Sequence, residues 1–243
     1  MPEGEGSGAF LAQSLNGLLG GSLAPEDRES AWQDSLDLLA LAAFMKTVAL
    51  IGCGYHTGGW LPAVAELAAG RGLAVRRGGV PWLVREEFAG LPEWYAGPVR
   101  DAWRSADMLT VCRPQAVTRF GGEAIMVGCE EEAELLGYPA CCVTDHHTRR
   151  RIYHDLMIDL IAARCEATPE RRRLAESEAM PSLRDDADRC RLEEALRGEA
   201  LAFAGFVPCP VCQALGPRGP AGQIDLAMRE LAHDSGLPLV AEG

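Results

Sequence analysis

The sequence has little lysine, few aromatic side chains and no long apolar run. Lys46 is the single lysine among 243 residues, and only 6% of the residues are aromatic. No apolar stretch approaches the roughly 20 residues of a membrane span, and no secretory signal opens the chain. The formal charge of -12 argues against a nucleic-acid-binding protein, which needs a basic face for phosphates. These absences predict a cytoplasmic protein with neither nucleic acid nor membrane as a partner.

Several familiar catalytic signatures are missing as well. The sequence contains no nucleophile elbow, no set of kinase motifs and no His-Glu-x-x-His zinc motif. Its nine cysteines are an odd number, which disfavours a closed framework of structural disulfides. In a cytoplasmic protein the thiols would be reduced by default.

The first half of the chain reads as an α/β part over residues 26–128. A helix from Pro25 to about Met45, with Phe44 among its apolar contacts, precedes an apolar strand at Thr47–Ile51. A glycine-rich loop, a helical pattern and a second short strand follow. This order is typical of a βαβ unit, so it predicts an α/β fold with a small, mostly parallel sheet.

The flanking parts have different patterns. Residues 1–25 are rich in Gly, Ser and Ala and predict a flexible N-terminal segment. Residues 129–243 predict a mainly helical, cysteine-rich part, with a long helix over about 144–165 and a last helix over 220–235. We expect the helical part to pack against the sheet in one compact unit.

Two cysteine pairs that adjoin prolines are the most informative feature of the chain. Cys141 and Cys142 follow Gly-Tyr-Pro-Ala, and Cys209 and Cys212 lie in Pro-Cys-Pro-Val-Cys. A two-residue spacing lets both thiolates of the second pair reach one ion from a tight turn. The four cysteines could bind zinc or an iron–sulfur cluster, the second pair could act as a redox dithiol, or all four could simply pack.

These two segments also carry a resemblance. The runs Leu136-Gly137-Tyr138-Pro139-Ala140-Cys141-Cys142-Val143 and Pro208-Cys209-Pro210-Val211-Cys212 resemble an uncharacterised prokaryotic domain family with a Leu-Gly-Tyr-Pro-x-Cys-Cys-Val segment and a later Pro-Cys-x-x-Cys. Members of that family occur in archaea and near genes for specialised-metabolite biosynthesis, so the resemblance implies a biosynthetic role. The chain departs from the family after Val143, where Asp145-His146-His147 stands in place of an aromatic residue.

The histidines supply candidate catalytic groups. At 100° per residue, His147 and His154 fall on the same side of the long helix as Ile158, Ile161 and Cys165. They are either satisfied core histidines or an acid and a base that work near neutral pH. His56 is a third candidate, because it lies in the glycine-rich loop.

That loop is a candidate anion site. It follows a strand and precedes a helix, so backbone N–H groups at the helix start could hold a phosphate, sulfate or carboxylate. It matches neither the dinucleotide fingerprint nor a P-loop, and a bare turn is the alternative. The candidate ligands for the anion are Gly52, Gly54, Thr57, Gly58, Gly59, Arg150 and Arg151.

Three functions follow. The first is a biosynthetic enzyme that binds an anionic small molecule, free or linked to an acidic carrier protein. Such an enzyme would catalyse elimination, substitution or ring closure with loss of an anionic group. The second is a non-catalytic subunit of a hetero-complex, stabilised by zinc or an iron–sulfur cluster at Cys141, Cys142, Cys209 and Cys212. The third is a thiol redox protein that uses Cys209 and Cys212.

Overall fold

A computed structural model describes residues 5–20, 23, 25–52, 59–120, 122–166, 168–176, 187, 190, 191, 194 and 198–237. The helices are α1 (Glu5–Leu19), α2 (Pro25–Ala42), α3 (Trp60–Gly70), α4 (Arg85–Phe88), α5 (Glu93–Ser105), α6 (Pro114–Val117), α7 (Cys129–Leu136), α8 (Ala140–Arg164), α9 (Thr168–Glu176), α10 (Pro210–Leu215) and α11 (Pro220–Asp234), with a 3-10 turn at Gly216–Arg218. The strands are β1 (Val48–Ile51), β2 (Ala74–Arg77), β3 (Trp82–Val84), β4 (Leu109–Cys112) and β5 (Ile125–Val127). The fold is therefore mixed α/β, as predicted, and mostly helical.

The prediction of a mostly parallel sheet is wrong. Three strands form a sheet in the order β1-β4-β2, in which β4 runs antiparallel to both neighbours. The only parallel pairing among the described residues joins β3 to β5. Strands β1 and β2 run parallel to each other on either side of α3 in the chain, but antiparallel β4 lies between them, so the βαβ unit is a split one in which the parallel strands are not neighbours.

The N-terminal segment also differs from the expectation. Residues 5–19 form helix α1, and Leu11 and Leu15 lie in the main hydrophobic core beside residues of α2, β1 and α3. Burial of these leucines explains why a Gly- and Ser-rich segment packs against the rest of the protein. Helix α2 was predicted, but Phe44 is not one of its apolar contacts: it lies beyond the helix and its side chain is 77% exposed.

The second half is built on helix α8, which is 25 residues long. It packs against α7 and α4 near its start and against α9 near its end. Across the described residues, no helix is both long and apolar enough to cross a membrane.

Candidate metal centre and a buried histidine–carboxylate network

The four predicted cysteines meet in space. The Sγ atoms of Cys141, Cys142, Cys209 and Cys212 all lie within 4.8 Å of one another. The Sγ of Cys141 lies 4.0 Å from that of Cys142 and 3.6 Å from that of Cys212. Two segments almost seventy residues apart in sequence therefore form one thiol cluster.

Each cysteine pair is placed by a proline and a helix start. Pro139 is the N-cap of α8, which puts Cys141 and Cys142 in the first turn of that helix. Cys209 is the N-cap of α10, and Pro210 and Cys212 follow in its first turn. The first turn of a helix leaves backbone N–H groups free and carries partial positive charge, which favours thiolate over thiol. At the start of α8, Cys141 and Cys142 can thus both reach one site.

The cluster is closed on one side and open on the other. Cys142, Cys209 and Cys212 are buried with Ala221, and Leu201 and Phe206 pack against them, whereas Cys141 is exposed. The backbone N–H of Cys209 donates a hydrogen bond to the Sγ of Cys142, 3.4 Å away. Such N–H donors stabilise a thiolate and orient it toward a metal.

Burial keeps part of this cluster protonated while no cation is bound. It raises the pKa of the Cys142 thiol, and it also raises the pKa of Cys141. Burial also opposes the thiolate of Cys209, but a hydrogen bond from the backbone of Cys212 and bonds within the cluster outweigh it and lower the pKa. A metal that binds here would displace the thiol protons.

The predicted histidines lie elsewhere on the same helix. His147 follows Cys142 by five residues, which places it about 140° further round α8. His147 and His154 are both buried and share a side of the helix, as predicted. They face a buried carboxylate, Glu87 of α4, rather than the thiols.

Glu87 is the centre of a network of polar side chains. Its Oε2 accepts a hydrogen bond from His147 Nδ1 at 2.8 Å, and its Oε1 accepts from His154 Nε2 at 2.7 Å. The Nε of Arg150 also donates to Oε1, at 2.9 Å. Burial favours the neutral acid, but the bonds from both histidines and the charge of Arg150 outweigh it and hold the pKa of Glu87 well below its usual range.

The other ring nitrogens of the two histidines are also occupied. His147 Nε2 binds Glu132 of α7, whose second oxygen accepts from the indole N–H of Trp82 at 2.8 Å. Since a carboxylate faces each nitrogen of His147, both nitrogens donate and the ring is cationic. Burial lowers the pKa of His147, but hydrogen bonds to Glu132 and Glu87 outweigh that effect and raise it to about 9.

Both nitrogens of His154 also have a partner. Its Nε2 donates to Glu87 at 2.7 Å, and its Nδ1 lies 2.9 Å from the hydroxyl of Tyr95. With the protein partners in place, neither His147 nor His154 presents a free nitrogen to a substrate. Their catalytic role therefore stays a prediction, and in this state they hold α4, α5, α7 and α8 together.

Most of the predicted anion loop, with His56, Gly54, Thr57 and Gly58, lies outside the described residues. Gly52 begins the loop with a φ of 90°, and its N–H donates to the buried carboxylate of Asp34 at 3.0 Å. Gly59 is the N-cap of α3.

The two arginines proposed to bind the anion are paired within the chain. Arg150 binds Glu87, and its guanidinium lies 4.8 Å from the ring centroid of Trp103. Arg151 binds Asp155 at 3.2 Å and the carbonyl of Ala89.

Sequence reasoning missed three members of the buried network, namely Glu87, Glu132 and Tyr95. Glu87 lies in Arg-Glu-Glu-Phe, a charged run that is typical of a solvated helix turn, yet its side chain is 1% exposed. One usable signal was present: two buried histidines on one stripe of a helix need hydrogen-bonding partners.

Comparisons with known proteins found no match to this chain among family models, curated proteins or solved structures.

Proposed function

We propose that this protein binds one zinc ion through Cys141, Cys142, Cys209 and Cys212. One observation carries the proposal, namely that four thiols lie within 4.8 Å of one another. A tetrahedral zinc site with Zn–S bonds of about 2.3 Å has S–S edges of about 3.8 Å. The two closest contacts of Cys141, at 3.6 and 4.0 Å, bracket that edge.

The spacing favours a single ion over the alternatives. A cubane iron–sulfur cluster distributes its cysteine ligands over four iron atoms, which would hold the thiolates further apart than one ion does. A disulfide needs a bond of about 2.05 Å, and the eight described cysteines are free. A redox dithiol formed by Cys209 and Cys212 needs only those two thiols, so it gives no reason for Cys141 and Cys142 to lie beside them.

The ion would act as a cross-link in the helical part of the protein. It would tie the first turn of α8 to the N-terminus of α10, two elements that start about seventy residues apart. The cluster has only a small apolar shell, chiefly Ala221, Leu201 and Phe206. Metal coordination would therefore supply stability that apolar burial does not supply there. This proposal develops the metal-stabilised alternative of the sequence analysis.

Elemental analysis of the purified chain tests the proposal. We expect one zinc and negligible iron per wild-type chain, and less than one fifth of that zinc in Cys209→Ser and Cys212→Ser. Cys209 and Cys212 are chosen because they lie on the buried side of the site, so each substitution removes a buried ligand.

The matched control is Cys190→Ser, which removes an exposed cysteine outside the cluster. It should retain the wild-type zinc content. Iron with acid-labile sulfide in place of zinc, or a metal-free chain after purification without chelator, would contradict the proposal.

A further inference from the structure

A groove lined mainly by the first half of the chain, with Leu231 and Ser235 from its C-terminal part, is separate from the thiol cluster and from the histidine network. Its volume is about 820 Å³, within the range of small-molecule sites. The apolar side chains that line it, which we call its floor, include Leu11, Leu39 and Leu73, and the lining also includes Arg71 and Arg113. It thus offers an apolar surface and two cations in one groove.

The described lining of the groove is basic, although the chain as a whole carries a net negative charge. The chain carries 35 acidic against 23 basic residues, yet none of the described residues that line the groove is acidic. Within the described part of the chain, neither Arg71 nor Arg113 pairs with a carboxylate. Arg113 uses its Nη2 on the carbonyls of Leu41 and Lys46, at 3.4 and 3.1 Å. These bonds fix the guanidinium in place, and no acidic side chain among the described residues compensates its charge.

Each of these arginines lies over the ring of an exposed phenylalanine. The guanidinium carbon of Arg71 is 3.8 Å from the ring centroid of Phe10, and that of Arg113 is 3.8 Å from that of Phe44. The phenylalanine side chains are 53% and 77% exposed, so neither is held there by burial in the core. Stacking pre-orients a guanidinium, which reduces the entropy lost when it binds an anion.

Phe44 occupies a left-handed backbone position, a conformation that favours glycine. Helix α2 ends with hydrogen bonds from the N–H of Met45 to the carbonyl of Ala40 and from the N–H of Phe44 to the carbonyl of Leu41. This is a Schellman motif, and it places Phe44 in the left-handed region at φ 66°. It is the one non-glycine residue with positive φ among the described residues.

Helix α7 shows the usual solution to the same geometry. The N–H of Tyr138 bonds to the carbonyl of Ala133, and the left-handed position is a glycine, Gly137, at φ 70°. An exposed phenylalanine at the corresponding position of α2 is strained and buries little, so folding does not account for it. Strain of this kind concentrates at binding sites.

From these observations we propose that the groove binds a small amphipathic anion, a carboxylate on an aliphatic body. The carboxylate binds Arg71 and Arg113, and the aliphatic body lies along Leu11, Leu39 and Leu73. Phe44 holds the Arg113 guanidinium over the groove. This site is independent of the proposed zinc centre, and its ligand class differs from that of a bare phosphate because the floor is apolar.

Calorimetric titration of the zinc-loaded protein with decanoate tests the proposal. We expect saturable binding of one decanoate per chain, and at least tenfold weaker binding in Arg71→Gln. Decanol lacks the charge and decyltrimethylammonium reverses it, so both should bind at least tenfold more weakly than decanoate.

Phe44→Gly separates a binding role from a structural one. Glycine relieves the left-handed strain, so the variant should melt at or above the wild-type temperature while it binds decanoate at least fivefold more weakly. Arg218→Gln, which removes an exposed arginine outside the groove, should bind as the wild type does. Equal binding of decanol and decanoate, no decanoate binding at millimolar concentration, or unchanged binding in Arg71→Gln and Phe44→Gly would each overturn the proposal.

Discussion

At the scale of single residues, the buried network balances its own charge. Glu87 and Glu132 carry negative charge, and His147 and Arg150 carry positive charge. A buried ionised carboxylate without such partners would cost several kcal/mol. Loss of the second proton of His147 would therefore destabilise the buried network.

That requirement gives the protein a pH-dependent stability. The pKa of His147 is raised from 6.5 to about 9, so its contribution is fully present below pH 6.5 and is lost as the pH rises through about 9. The groups that face or adjoin it are Glu87, Glu132, Arg150 and His146. The depressed pKa of Glu87 acts in the opposite direction, so its contribution is present above about pH 4.5 and is lost in acid.

We predict that the free energy of unfolding falls between pH 6.5 and pH 9.5, by an amount on the order of 3 kcal/mol. Urea unfolding of the purified protein at several pH values measures it. His147→Gln should be less stable at pH 6.5 and nearly flat over this range. His233→Gln removes an exposed histidine and should keep the wild-type slope. An equal slope in His147→Gln would contradict the assignment.

At the scale of elements, the turn between α7 and α8 places the first thiol pair. Gly137 ends α7 at φ 70°, and a Cβ on it would lie 2.6 Å from the carbonyl oxygen of Met45. Tyr138 and Pro139 then lead directly into the helix that carries Cys141. The Tyr138 hydroxyl is 3.3 Å from Nζ of the buried Lys46, which fixes the turn against the first half of the chain.

We therefore predict that Gly137→Ala lowers the free energy of unfolding by about 1–3 kcal/mol, because of left-handed strain and the clash with Met45. The control is Gly70→Ala, since Gly70 lies in α3 with open space around its Cβ position. That variant should be as stable as the wild type or slightly more stable. Urea unfolding compares the two, and equal stabilities would show that the turn is not constrained as described.

At the scale of the whole molecule, local patterns predicted elements better than their arrangement. The bounds of β1 and α11 follow from short-range apolar patterns and from Gly and Pro signals, and the structure has them within one residue of the predicted ranges 47–51 and 220–235. The order β1-β4-β2 depends on long-range pairing, which a strand–loop–helix–strand pattern does not specify. The direction of β4 was missed for that reason.

The same distinction applies to the sites. The thiol cluster was predictable because the residue type, the spacing and the prolines all pointed to it. The burial of Glu87 was not, because an acidic residue in a short charged run looks solvated until α8 covers it. Phe44 was read as an apolar contact of α2, since the sequence does not reveal that the backbone turns left-handed at that residue.

The zinc K-edge X-ray absorption spectrum of the protein as purified tests the central claim most directly. The four converging thiols predict a first shell of four sulfur atoms at about 2.3 Å from the metal. A first shell with nitrogen or oxygen in place of two or more of the sulfurs, or an iron edge without zinc, would contradict the account.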